Sequence, residues 1–482
     1  MRFPPKVVLC GLALAAPICV AQADFTVHAE PVGLALRDPA IVKALSAIDA
    51  SRIDQTIETL VRFGTRNTLS SMSENLPAGT GVQAAADWIA AEFERISAGC
   101  GGCLEVKRDR FVADPAAAAG SPWAGRIPKP TRLTNVYAIL RGSAPAQAKR
   151  MYLVTGHYDS RNSNVLDADG IAPGANDDAS GVAVSLECAR ALSQLKFPAT
   201  VVFVAVAGEE QGLVGSGHLA RLAKDEGWQL EAVLNNDIVG GNTTPGDKFQ
   251  LKDRVRVFSE GVPVAATPEQ ARRIRAVGGE NDSPSRQVAR FMQSVAHGYF
   301  PESSANSFDA FLVARPDRYL RGGDHSSFNR EGFAAVRLTE WREDFNHQHQ
   351  NVVHPAAGSG DPVLGDLKEF VDVNYVAKVA RLNAATLGAL AASPGEPVKV
   401  GIATEKLENG TTLHWEAAPG AVAKYEVLWR ETTDSDWQFM QVVTPSGTGA
   451  PVTITVPVSK DNVIFGVRAV DAAGHQGLVV VP

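Results

Sequence analysis

The sequence predicts an α/β protein: a mostly parallel mixed sheet flanked by helices, followed by a separate all-β sandwich. Three observations predict it. From about residue 134, strand-like and helix-like stretches alternate, which argues for a largely parallel sheet with helices on both faces. The stretch "ATVVFVAVAGEE" (199–210) is a near-continuous apolar run, the pattern of a strand covered on both sides. Near residue 393 the texture changes to short alternating runs, separated by turn signals and lacking any helical period.

Residues 1–23 read as an export signal. Arg2 and Lys6 form the positive start, "VVLCGLALAAPICV" the apolar core, and Ala21-Gln22-Ala23 the cleavage site. The apolar run is short against the roughly 20 residues a membrane span needs. Cleavage after Ala23 removes two positive charges and no negative ones, taking the net charge from -7 to -9. No other stretch is long and apolar enough to cross a bilayer. The mature protein is therefore expected to be soluble, secreted or periplasmic, and not inserted in a membrane.

Residues 24–50 form a lead-in expected to be irregular. Two amphipathic helices follow, over 51–67 and 81–96, each with apolar residues every three or four positions. Between the second helix and the alternating region lies "CGGC" at 100–103. No second C-x-x-C exists to complete a zinc ribbon, so a loop-closing disulfide in an oxidising compartment is the expectation. Cys188, in "VAVSLECARAL", is expected to be a buried packing residue.

The alternating body has strands expected at 134–142, 149–157, 199–210, 230–240 and 333–341, with helices at 179–195, 214–227 and 283–299. It is taken to run from 51 to 393. "AASPGEPVKVG" then serves as a linker, and residues 394–482 form the sandwich. A chain of 482 residues suits two or three domains, and its 45% hydrophobic and 21% charged content is that of a globular protein. There is no Lys/Arg-rich run, which leaves no reason to invoke nucleic acid or an anionic membrane as partner.

In an open parallel sheet, ligands gather beyond the carboxyl ends of the strands. Just past the apolar runs "MYLVTG", "VVFVAVAG", "EAVLNN" and, after a short loop, "AAVRLTEW" stand residues of one chemical kind: His157 and Asp159, then Glu209 and Glu210, then Asp237, then His347 and His349. Asp177 and Asp178 sit at the start of the helix between the first two of these strands. Taken singly each has an ordinary reading: Asp178 as a helix cap, His157 as a packed histidine, Glu209–Glu210 as solvated charge. All of them at strand ends argue for a metal site. Imidazole nitrogen and carboxylate oxygen suit zinc, and there are enough donors for two ions about 3.5–4 Å apart with one carboxylate bridging. Such a pair can hold a hydroxide between the ions. A free neighbouring glutamate would move its proton, and Asp159 is placed to fix the His157 imidazole.

The stretches "GHYDS", "PGANDDASG", "GEEQGLVGS", "NND" and "GGDHSSF" closely resemble the zinc-dependent M28 peptidases, the family of the bacterial leucyl aminopeptidases. The resemblance runs from about 51 to 393. It implies that His157 and Asp237 bind one zinc, that Glu210 and a late histidine bind the other, and that Asp177 bridges them. It makes Glu209 the general base. For the late histidine the family pattern, a histidine followed four residues later by Asp, favours His347 over His349, with Asn351 in the acidic position. Asp324 and His325 match a family loop near the substrate pocket. The order of Trp415, "YEVLWR" and "FGVRAVDAAGHQG" in the C-terminal region resembles a fibronectin type III domain.

The expected function is thus an exported dizinc aminopeptidase acting on peptide or protein substrates. On the same scaffold the alternatives are a carboxypeptidase, for which Arg286, Arg315, Arg318 or Arg321 would meet a substrate carboxylate, and a glutaminyl cyclase. The cyclase resembles a single-zinc site, against which the intact His157 argues. A non-catalytic binding protein is the alternative from another class, and the intact set of ligands and base speaks against it.

Overall fold

A computed structural model describes Thr26 and residues 29–118, 123–405, 407–447 and 449–482. The export-signal expectation lies outside the described residues. The chain enters through β1 (Glu30–Pro31) and α1 (Pro39–Leu45). Next comes α2 (Ala50–Arg62), which buries Ile53, Ile57 and Leu60 along one stripe and is capped where Asp49 accepts the Ser51 N–H at 2.8 Å. The following helix, α3 (Gly81–Gly99), ends at a Cys100–Cys103 disulfide that turns the chain into β2 (Leu104–Ala113).

The main body continues through β3 (Thr131–Leu140), β4 (Arg150–His157), α4 (Ala179–Leu192), β5 (Thr200–Val206), α5 (Val214–Asp225) and β6 (Gln229–Asn236). It is completed by β7 (Arg254–Ser259), α6 (Pro268–Ala276), α7 (Pro284–Tyr299), β8 (Asp309–Val313), α8 (His325–Arg330), β9 (Ala335–Thr339) and α9 (Val373–Ala392). Eight strands form one mixed sheet in the order β2-β3-β5-β4-β6-β9-β7-β8. The central run β5-β4-β6-β9 is parallel throughout, and β5 is buried at every position, as its apolar run requires. Cys188 is fully buried in α4, which packs against α9.

Residues 241–320 supply β7 and β8 at one edge of the sheet together with α6 and α7. The 20-residue α9 is apolar on nearly every face because it is a core helix, sandwiched among α2, α4 and α7. Among the described residues no helix is long and apolar enough to cross a membrane.

The C-terminal region holds β10 (Val398–Ile402), β11 (Thr411–Glu416), β12 (Lys424–Glu431), β13 (Phe439–Val443), β14 (Val452–Val456) and β15 (Val463–Val470). They form two antiparallel sheets, β10-β11-β14 and β1-β13-β12-β15, closed over Trp415, Tyr425, Trp429 and Phe465. Here the lead-in departs from expectation. It is not simply irregular: β1 pairs with β13 and extends a sheet of the sandwich, while α1 packs on α9. His475 of the sandwich lies 3.0 Å from Asp38 and 2.8 Å from Asp471. Between the two lobes Asp282 receives Arg430 at 2.7 Å and Arg290 at 3.2 Å, all three side chains nearly without solvent contact.

Candidate metal centre

The parallel run brings the carboxyl ends of β5, β4, β6 and β9 to one edge, and the candidate residues leave from those ends. His157 closes β4 opposite Val206 of β5. Glu209 and Glu210 come just beyond Ala207, after a glycine, Gly208, with φ +70° that reverses the chain. Asp237 follows β6 directly, its N–H donating to Leu338 O of β9 at 3.1 Å. Asp178 caps α4: one carboxylate oxygen accepts the Gly181 N–H at 2.9 Å and the other the His157 N–H at 3.0 Å. That cap leaves the preceding residue, Asp177, as the one that faces the centre.

Two clusters share Asp177: His157, Asp177 and Asp237 form one, and Asp177, Glu210 and His349 the other. His157 Nε2 lies 3.0 Å from Asp177 Oδ1 and 3.9 Å from Asp237 Oδ1. His349 Nε2 lies 2.9 Å from Asp177 Oδ2 and 3.0 Å from Glu210 Oε1. Despite these distances, His157 Nε2 and Glu210 Oε1 are buried without a hydrogen-bond partner. The donor atoms thus converge on common points rather than on one another, and an orphaned imidazole nitrogen beside an orphaned carboxylate oxygen fits a metal ion. The charge balance agrees. Burial opposes a charged His157, yet Asp159, Asp177 and Asp237 outweigh it and raise its pKa well above the ordinary value. Burial raises the Glu209 pKa well above the carboxylate range, and Asp237, Glu210 and Asp324 add to the effect against His157.

Asp159 meets the centre differently from the sequence expectation. It is the Asp159 main-chain oxygen that stands 3.1 Å from His157 Nδ1, its carboxylate being 3.5 Å away. The carboxylate accepts the N–H groups of Glu209 and Glu210, both at 3.1 Å, and the Thr68 hydroxyl at 3.0 Å. One residue therefore orients the imidazole and holds the loop carrying both glutamates.

The preference for His347 is corrected. His347 stacks on Phe370 with ring centroids 3.5 Å apart and faces Asn242 and Asp344, away from the two clusters. His349 occupies the place instead, held with φ +54°, a left-handed conformation uncommon outside glycine. Asn351 takes no part at the centre and accepts from Ser163 at 2.9 Å. Asp324 and His325 come close but are buried: His325 Nε2 donates to Pro316 O at 2.8 Å, and both Asp324 oxygens lack a hydrogen-bond partner. Neither presents surface to a substrate. Of the four arginines considered for a substrate carboxylate, three are engaged elsewhere, Arg286 with Ser259 and both Arg318 and Arg321 with Glu343. Arg315 lies over the Tyr319 ring.

Several residues around the centre gave no sequence signal of their own. Arg337, fully buried in β9, pairs with Asp237 at 2.8 Å. Gln348 donates to Asp177 Oδ2 at 3.2 Å. Asp366 accepts the N–H groups of Asn176 and Asp177 at 2.8 and 2.7 Å. Arg66, with no solvent exposure, donates to Tyr158 O at 2.6 Å and Gly174 O at 2.8 Å and so ties the two ligand-bearing loops together. Each acts through a contact between distant segments, invisible to local spacing.

Comparison with known proteins agrees with this arrangement. Residues 135–356 match the model of peptidase family M28, a stretch that contains every residue of the two clusters. A probable zinc metalloprotease of Leptosphaeria maculans is 42% identical over 457 residues, covering 94% of this chain and 99% of the relative. Another from Pyricularia oryzae is 42% identical over 473 residues, covering 96% of this chain and 89% of the relative. In fold, the chain is similar to the crystal structure of LapA from Legionella pneumophila, with a TM-score of 0.50 and 17% identity over 75% of this chain and 79% of that one. The chain belongs to peptidase family M28 and is a zinc-dependent metallopeptidase.

Proposed function

We propose that this chain is an exported exopeptidase that removes single residues from the free amino terminus of peptides with the help of two zinc ions. The observation that supports it best is the pair of three-residue clusters sharing Asp177. His157 and Asp237 would hold one ion, Glu210 and His349 the other, with Asp177 reaching both. Zinc bound there supplies Lewis-acid polarisation of the scissile carbonyl and of the attacking water.

The chain's own residues do the rest. Glu209, partly exposed beside the clusters, takes the proton from water and passes it to the leaving amine. Asp159 fixes the loop from which Glu209 projects. Export is supported by the signal-like first 23 residues and by the Cys100–Cys103 disulfide, a bond at home in an oxidising compartment. In this reading residues 51–393 form the catalytic domain, and residues 394–482 a fibronectin type III-like module that serves as a spacer or as an anchor to polymeric substrate.

The test is mass spectrometry of a mixed peptide set incubated with the zinc-loaded protein. Half the peptides carry a blocked amino terminus and half a blocked carboxyl terminus. Stepwise loss from free amino termini is expected. Glu209→Gln should lower the rate by about 10²–10⁴-fold with zinc content retained. Loss from carboxyl termini would make the chain a carboxypeptidase, and no loss from either end would remove the exopeptidase reading.

A further inference from the structure

Two arginines stand at the acidic centre without being used up by it. Arg161 comes two residues after Asp159; its Nε donates to Asn162 O at 3.1 Å and lies 4.0 Å from Glu210 Oε2, beyond hydrogen-bond reach. Its two terminal nitrogens donate no hydrogen bond among the described residues, and its side chain keeps 15% of its surface. Arg126 also reaches Glu210. Its Nη1 donates to Glu210 O at 2.7 Å, and its guanidinium lies 4.5 Å over the Trp123 ring. Trp123 in turn packs on Gly212, where a side chain would sit only 2.6 Å from the Trp123 Cβ. Burial lowers the Arg126 pKa, and repulsion from Arg161 lowers it further, so the two cations lie within each other's field.

The simplest alternative is that these arginines merely neutralise the acidic centre. The carboxylates have nearer partners, however. Asp237 has Arg337 at 2.8 Å, Asp177 and Glu210 have His349 at 2.9 and 3.0 Å, and Asp159 has two backbone N–H groups. Once Glu210 serves as a zinc ligand, its distant contact to Arg161 weakens further. Two half-buried guanidinium groups then stand beside the site: Glu209 and Glu210 lie in the field of Arg126, but among the described residues no carboxylate is within hydrogen-bond reach of either arginine. A guanidinium presents a planar fork of donors that matches a carboxylate with two parallel hydrogen bonds.

We infer that Arg161 and Arg126 form a carboxylate-binding subsite beside the metal centre, and that the chain favours peptides carrying a free carboxylate close to the scissile bond. This rests on the exopeptidase reading given above. The carboxylate is either the chain terminus of a very short peptide or an acidic side chain, and the two are separable.

The experiment compares kcat/KM of the zinc-loaded full chain on two pairs of substrates: Leu-Ala against Leu-Ala-amide, and Glu-Ala-amide against Gln-Ala-amide. The charged member of one pair should be favoured by about tenfold or more. A preference in the first pair identifies a terminal carboxylate, and one in the second an acidic side chain. Arg161→Ala and Arg126→Ala should each shrink that ratio, mainly through KM, with Arg161→Lys intermediate; circular dichroism and zinc content report on folding. Equal rates within both pairs, or a ratio unmoved by either substitution, would overturn the inference. If none of the four is cleaved, it is the exopeptidase reading that fails. The subsite is then tested by calorimetric titration of N-acetyl-leucine against N-acetyl-leucinamide. Tighter binding of the acid that weakens in Arg161→Ala upholds the subsite, and equal affinity of the two refutes it.

Discussion

His347 and His349 lie on the same loop, yet one rests on an aromatic ring while the other faces two carboxylates. Their roles separate in a metal count. On the two-ion reading, His349→Ala should lower bound zinc from two ions to about one, whereas His347→Ala should leave the zinc content unchanged and cost only packing against Phe370. Elemental analysis of the dialysed variants decides it, and equal zinc loss in the two would refute the assignment. The residues at the ends of strands were legible in position because the strand itself fixes where they emerge: the apolar runs before His157, Glu210 and Asp237 put them at one sheet edge, while their separate roles were implied by the resemblance to the M28 peptidases. His349 was not legible in that way. It lies on a loop, and a loop's path depends on tertiary contacts such as Val353 pairing with Leu364 and the left-handed turn at His349 itself. Arg337 illustrates a further limit, since an arginine in an apolar strand gives no sign of which distant carboxylate it will meet.

At the scale of elements, α2, α3 and α5 follow the helical period closely, and β5 shows the continuous apolar run of a strand covered on both sides. The elements that did not announce themselves are those whose pattern is set by unusual burial. In α9 the helical period is washed out because nearly every face is covered, and β1 is two residues whose pairing with β13 is decided far along the chain. The strap that β1 begins is pinned at His475, between Asp38 and Asp471. Burial there opposes the charged imidazole, but the two carboxylates outweigh it and raise its pKa above the ordinary value. A histidine whose folded pKa exceeds its unfolded value near 6.5 contributes its stabilisation in full below about pH 6.5, and loses it as pH rises through the folded value. His475→Gln should therefore destabilise the chain clearly at pH 6, by on the order of 1 kcal/mol after allowing for solvent screening, and little at pH 9. Urea denaturation midpoints of the two proteins at both pH values measure the gap. A gap that widens towards pH 9 would show that the pin does not depend on the imidazolium.

The whole molecule couples these scales, because the lobe that carries the metal edge and the sandwich, each with its own core, meet beside α7 through Asp282–Arg430 and Gln287–Trp437. The carboxylates of Asp177, Asp237 and Glu210 gather in two clusters that share Asp177, with His157, His349 and Arg337 as their basic neighbours. Ions that bind the folded state alone add stability by mass action, about 2.7 kcal/mol for a free concentration one hundred times the dissociation constant. Chelation should therefore lower the melting temperature, and zinc should restore it. Whether the sandwich shares in that shift depends on the lobe interface, where Asp282 neutralises both Arg290 and Arg430. Replacing Asp282 by alanine strands two buried arginines, a defect of roughly 3–5 kcal/mol. Scanning calorimetry of the wild type should then show one transition that moves with zinc. In Asp282→Ala it should divide into two, of which only the peptidase transition responds to the metal. Two separate transitions already present in the wild type, with the sandwich indifferent to chelation, would mean that β1 and Asp282 hold the lobes together without making them fold as one.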